Sequence, residues 1–133
     1  MHYSDFIKEY AVSYSCKVVD EKGNFIGVLS TRFNWSYIYD IIEKAKISEA
    51  GDVFLVNKSG MVIASRDRQG ILKKNILETY PEINELLKKE EYGYAIELGN
   101  NDNLKRVLGY AHTRGYNNYP GKDWSVVVIE QVL

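Results

Sequence analysis

The chain has 133 residues, 17 Lys and Arg against 18 Asp and Glu for a net charge of −1, and an ordinary apolar share of 45%. That length suits one domain with room for a piece of a second, and the interspersed, balanced charge supplies no basic face for nucleic acid. No run of about 18 apolar residues is present to span a membrane, no secretory leader or low-complexity tract is visible, and the single cysteine, Cys16, excludes an internal disulfide.

Residues 1–10 (MHYSDFIKEY) suit a short helix or a tail. Residues 12–19 and 25–33 are rich in strand formers and flank Asp20-Glu21-Lys22-Gly23, which predicts a β-hairpin with Gly23 supplying a positive φ. Asn34 or Ser36 then caps a helix whose apolar stripe runs Trp35, Ile38, Ile41 or Ile42, and Ala45. A second hairpin is expected over 52–67. Its turn, Val56-Asn57-Lys58-Ser59-Gly60, repeats the pattern of Val19-Asp20-Glu21-Lys22-Gly23. Either a weak internal repeat or two uses of one favourable turn explains this.

Residues 70–89 carry two apolar stripes, Ile71, Leu72, Ile76 and Leu77, then Ile83, Leu86 and Leu87. Pro81 suits a first helical turn, so two short helices with a break near Tyr80 are predicted. Three strands follow, at 92–98, 105–113 and 124–132. The first two are joined by the turn-rich stretch 99–103, the last two by a loop with a turn at Tyr119-Pro120-Gly121. The apolar run 126–129 predicts a central strand covered on both faces, with Trp124 as a core plug at its entry. The order implies an α+β fold: a central antiparallel sheet of about five strands with helices packed on it, and an additional N-terminal β-hairpin.

Catalysis is not expected. The two histidines, His2 and His112, and one cysteine form no metal-ligand spacing, and no phosphate loop or nucleophile elbow is present. Cys16 lies in a strand and reads as a buried, inert thiol. Haem would have only His112 as an interior ligand, and a flavin adduct would need a cysteine in the helical region, so no cofactor and no metal are expected.

The segments VVDEKGNFIGVL and GDVFLVNKSGMVIAS, together with the ending Gly109-Tyr110-Ala111, Gly115-Tyr116, Tyr119-Pro120-Gly121 and Trp124-Ser125-Val126, resemble the extracytoplasmic Cache domains of prokaryotic chemoreceptors, sensor histidine kinases and diguanylate cyclases. The resemblance covers about residues 12–131. It implies a PAS-like sensor domain outside the cytoplasm, part of a membrane receptor through flanking segments. Such a domain senses a small molecule and transmits to a cytoplasmic output module. It also implies a division at 33/34: residues 1–33 as the tail of a membrane-distal module, 34–133 as a membrane-proximal one, with a single Cache domain as the rival layout. Homodimers in the parent receptor are expected from the same resemblance. The alternative is a cytoplasmic PAS-like or profilin-like module that binds proteins and no small ligand.

In a PAS-like fold the pocket lies between the sheet and the helix after the second strand. Arg66 and Arg68 can reach it from one side, and Tyr110, His112, Arg114 and Tyr116 from the other. An arginine fork suits a carboxylate or phosphate; the competing reading is that these arginines pair with surface acids. The position matching the aspartate that holds ligand ammonium groups in amino-acid-binding relatives is Arg32. A cation there disfavours an ammonium and leaves an anionic ligand, or a module that only transmits.

Overall fold

Two antiparallel sheets carry the strands of the computed structural model, which describes residues 1–89, 91–98 and 103–132. The chain divides into two compact units, 1–40 and 41–133.

The first unit is a three-stranded meander of β1 (His2–Ser4), β2 (Glu9–Val19) and β3 (Phe25–Asn34), in that spatial order. The segment expected as a helix or tail is therefore sheet: β1 pairs with the start of β2, His2 opposite Ala11 and Ser4 opposite Glu9. The predicted hairpin is β2–β3. Its turn is organised by Asp20, whose Oδ1 accepts from the backbone of Lys22 at 2.9 Å and of Asn24 at 2.8 Å. Gly23 takes φ +83° there. Cys16, read as buried, is exposed, because β2 has apolar cover on little of either face.

Helix α1 (Ser36–Glu43) follows. The side chain of Asn34 accepts from the Ser36 amide at 3.1 Å and from its hydroxyl at 2.8 Å, satisfying an orphan donor at the helix start.

The second unit is a five-stranded sheet in the order β5-β4-β8-β7-β6, built from β4 (Asp52–Val56), β5 (Val62–Ser65), β6 (Tyr92–Leu98), β7 (Lys105–His112) and β8 (Ser125–Gln131). Every pairing is antiparallel. The β4–β5 turn repeats the geometry of the first hairpin. Asn57 Oδ1 accepts from the Ser59 and Met61 amides, both at 3.0 Å, and Gly60 takes φ +81°. The likeness seen in sequence is thus a shared turn geometry.

The predicted break at Tyr80 is present. It separates α2 (Ile76–Thr79), capped by the Asn75 side chain, from α3 (Pro81–Leu87). Residues 70–75, expected to be helical, instead pair with the edge of β5: Leu72 donates to the Val62 carbonyl at 2.8 Å and the Val62 amide donates to Lys74 at 2.9 Å. An edge strand left bare exposes a ladder of donors and acceptors, and this segment satisfies it at the expense of helix.

Register places Phe54, Val127, Tyr110 and Gly93 in one row across the sheet, with Val56, Ser125 and His112 in the next row on the same face. This face carries the core. Val56, Ile76, Ile83, Leu108 and Val127 are all essentially inaccessible, each worth roughly 1.5–3 kcal/mol of burial, and α3 packs over β6 and β7. β8 is central, yet its burial alternates, with Ser125, Val127 and Ile129 buried and Val126 and Val128 half-buried. The apolar run therefore has one fully covered face rather than two. Trp124 is half-buried, not a core plug. The tight reversal in the β7–β8 loop falls at Asn117-Asn118, between Tyr116 and Tyr119, one step before the Tyr119-Pro120-Gly121 turn expected. The 99–102 part of the predicted 99–103 loop, and Leu133, lie outside the described residues.

Candidate functional site

A cleft of about 380 Å³ opens where the ends of β4, β7 and β8 meet α3, lined by Asn57, Lys58, Leu87, His112, Thr113, Asp123 and Ser125. Each element delivers its residue for a local reason. Asn57 ends β4 because its side chain closes the turn, which sets Lys58 at the tip. His112 ends β7, and its amide donates to the Glu91 carbonyl at 2.7 Å. The Thr113 amide and hydroxyl both donate to the Trp124 carbonyl, at 2.8 and 3.1 Å, clamping the base of the β7–β8 loop. Asp123 sits at φ +54°, a left-handed conformation that Asp tolerates better than most residues, and turns the chain into β8.

The floor holds a polar pair. His112 Nδ1 and Ser125 Oγ lie 2.7 Å apart, and Ser125 is buried. With Nδ1 engaged, Nε2 is the ring nitrogen left for a ligand. The mouth holds an opposite-charge pair, Lys58 Nζ to Asp123 Oδ2 at 3.5 Å, with side chains 83% and 70% exposed. An exposed pair of this kind is worth about 0–1 kcal/mol, so either member can be drawn to a ligand at little loss. Leu87 is the apolar wall. The lining thus offers one cation, one carboxylate, an imidazole, an amide and two hydroxyls, a set suited to binding and orienting a small polar molecule. Among the described residues, no three His, Cys, Asp or Glu side chains converge to hold a metal.

Of the residues proposed from sequence, His112 lines this cleft and Tyr110 is beside it, their rings 5.8 Å apart, with Tyr110 buried against Gly93. The arginines lie elsewhere. Arg66 donates to the carbonyls of Ser48 at 2.8 Å and Gly51 at 3.2 Å, and pins the 44–51 loop. From the same loop Ser48 bonds Glu130 through its side chain and through its amide, the latter at 3.0 Å, and the two, the side chain foremost, hold the Glu130 carboxyl below its usual value. Arg68 pairs with Glu43, and Arg114 with Glu91, each at 2.5 Å. Tyr116 is 79% exposed on the β7–β8 loop. Sequence reading passed over Lys58, Asp123 and Ser125. Ser125 becomes visible only once the β7–β8 register sets it opposite His112, and Lys58 and Asp123 meet from turns 65 residues apart in sequence.

Solved structures with this fold include the ligand-binding domain of the amino-acid chemoreceptor PctC of Pseudomonas aeruginosa PAO1 in complex with GABA. It is 22% identical over 97% of this chain and 52% of that one, with a TM-score of 0.70. The ligand-binding domain of Mlp24 with asparagine is 15% identical over 98% of this chain and 48% of that one, TM-score 0.70. The extracellular domain of rpHK1S-Z16, a proposed histidine kinase, is 16% identical over 98% of this chain and 51% of that one, TM-score 0.67. The chain therefore spans about half the length of these structures. No curated protein matches it. Among the described residues no helix is long and apolar enough to cross a membrane. A family model described as a Cache domain matches residues 3–132, and the chain accordingly belongs to the Cache domain family.

Proposed function

We propose that this chain is half of a two-module extracytoplasmic sensor domain of a membrane receptor: the tail of one module in 1–33 and a membrane-proximal module from 34 onward. The observation that carries the reading is the state of the first unit. Its β3 exposes Phe25, Ile26, Val28 and Leu29, all 60–63% accessible, on both faces of a three-stranded sheet. A sheet this small and bare is not independently stable. Its β1-β2-β3 meander parallels β6-β7-β8 of the second unit, where the far edge of β8 is taken by β4. By that parallel, the far edge of β3 is the place of a strand from the rest of a distal module. The half-length coverage of the solved relatives supports the same division.

The second unit is the ligand-responsive part on this reading, non-catalytic, with the His112–Ser125 cleft as its site. A lining with balanced charges favours a ligand carrying both an ammonium and an acidic group over the purely anionic one expected from sequence. The relatives solved with asparagine and with GABA, both such molecules, lend support. Contacts in the cleft touch both ends of the β7–β8 loop and the start of β8, so a ligand that prefers one arrangement of this loop shifts the strand that leads out of the domain.

Titration calorimetry with amino acids, betaines and short monocarboxylates tests this. Zwitterions are expected to bind, and Lys58→Ala, Asp123→Ala and His112→Ala each to weaken them about tenfold or more. Binding unaltered in all three variants removes the cleft as the site.

A further inference from the structure

The partner of the His112 ring suits an imidazole that changes charge. Ser125 is buried and His112 half-buried, with Nδ1 and Oγ 2.7 Å apart. A hydroxyl both donates and accepts, so Ser125 Oγ serves Nδ1 in every state of the ring. It donates to a bare Nδ1 and turns to accept from a protonated one, and no other group has to move. In the two neutral tautomers Nε2 is a donor or an acceptor, matching a carboxylate or an ammonium. In the cation Nε2 is a donor that carries charge. The other groups around the ring leave that charge uncancelled. Lys58 from the β4–β5 turn and Asp123 from the entry to β8 already face each other at 3.5 Å. Helix α3 contributes Leu87 to the lining, and β7 adds the Tyr110 ring 5.8 Å away. Glu91 meets His112 through its backbone carbonyl, and its carboxylate is paired with Arg114.

We propose that His112 sets the net charge of the ligand that the cleft accepts, and resets it with pH. A neutral ring selects a net-neutral zwitterion, and a protonated ring selects a ligand with one further negative charge, an acidic amino acid. The inference rests on the reading of this cleft as the ligand site and names its selectivity. With the ring neutral, Lys58 and Asp123 leave the lining balanced, and a second carboxylate on the ligand finds no cation of its own. With the ring charged, the lining has one net positive charge, and Nε2 gives that carboxylate a charge-assisted hydrogen bond. The change falls between about pH 5 and 8, where imidazoles ordinarily titrate. Carboxylates and ammonium groups keep their charge across that interval. A ligand that binds the cation better is therefore favoured as pH falls, and in turn draws a proton onto the ring.

Asparagine and aspartate are the probes, nearly equal in shape and one charge apart throughout this interval. Titration calorimetry of both on the 133-residue chain at about pH 8 and about pH 5.5 gives the ratio of their dissociation constants. Effects of pH common to both probes cancel in that ratio. It is expected to move about tenfold toward aspartate at the lower pH, and to stay level in His112→Gln, which keeps a polar side chain that does not titrate. Proton NMR of the imidazole rings reads the switch directly, because the chain has two histidines and His2→Gln assigns the signals. Aspartate is expected to raise the pH at which the His112 ring protonates. A ratio that is level in the wild type, or that moves equally in His112→Gln, overturns the proposal and leaves the cleft as the site. Should His112→Gln fail to fold, the ring signals decide: protonation at the same pH with and without bound aspartate overturns it too. If neither amino acid binds, or if binding leaves the His112 signals untouched, the cleft is not the site and the proposal falls with that reading.

Discussion

The imidazole Nδ1 of His112 and the hydroxyl of Ser125 meet at 2.7 Å, directly opposite each other across the β7–β8 pair. Ser125 is buried, so its hydroxyl has this ring in place of water. Removing it in Ser125→Ala leaves a half-buried ring nitrogen without its partner and is expected to destabilise the chain by about 1 kcal/mol. Ser125→Thr keeps the hydroxyl and recovers most of it. Urea unfolding monitored by tryptophan fluorescence measures both, and equal midpoints for Ala and wild type sink the idea.

The two hairpin turns of shared geometry separate backbone from packing. Gly23 and Gly60 share nearly the same positive φ, but a β-carbon on Gly23 meets nothing, whereas on Gly60 it falls 2.5 Å from Leu77 Cγ and 2.7 Å from Asn75 Oδ1. Gly23→Ala is expected to cost about 1 kcal/mol, the left-handed penalty alone. Gly60→Ala adds displacement of the Asn75 cap and of Leu77, for about 3 kcal/mol or more in all. Thermal unfolding of the two variants side by side decides it; equal losses would falsify the packing account.

Tyr110 illustrates a residue that sequence placed in a pocket and the fold places against a glycine. Its ring lies over Gly93 on the adjacent strand, with a built β-carbon at Gly93 only 3.1 Å from the ring. Tyr110 is 8% exposed. Tyr110→Ala is expected to cost about 3–5 kcal/mol, and Gly93→Val about 1–3 kcal/mol through overpacking. The double variant should be milder than the sum, since removing the ring makes room for the valine. Strict additivity in denaturant unfolding would show that the two residues do not share the space.

Most of the architecture was legible from local signals. Turn chemistry at Asp20 to Gly23 and Asn57 to Gly60, Pro81 at a helix start, and strand-forming runs each predict their element without reference to partners. The misreadings came where a partner decides. Residues 70–75 have helical periodicity but serve the open edge of β5. Residues 2–4 become strand only because β2 is long enough to pair with them. The cleft was less legible. An arginine is a conspicuous residue for an anion, but its donors go to whatever acceptor the fold brings near. Here those include two loop carbonyls for Arg66, the Glu43 carboxylate for Arg68 and the Glu91 carboxylate for Arg114. Ser125 and Asp123 are unremarkable in sequence; Ser125 acquires meaning from the β7–β8 register and Asp123 from the turn that brings it to Lys58.

Asp67 gives the chain an acid-sensitive anchor. Its Oδ1 accepts from the Gln69 amide at 2.9 Å and from the buried Ser65 hydroxyl at 2.8 Å. The Gln69 bond foremost holds the carboxyl below its ordinary value of 3.8. A carboxylate whose folded pKa is depressed stabilises the fold fully above its unfolded value and gives that up as pH falls through the folded one. The contribution is therefore present above about pH 4 and lost below 3.8. Asp67→Asn keeps an Oδ1 acceptor for both donors but cannot titrate. At pH 7 the variant is expected to be less stable than wild type, by the charge-assisted part of the two bonds. Below pH 3.8 the two should converge, the wild type losing stability while the variant lacks that component. Urea midpoints measured from pH 7 down to pH 3 test the sign: a gap that widens as pH falls would mean that Asp67 is not the group responsible.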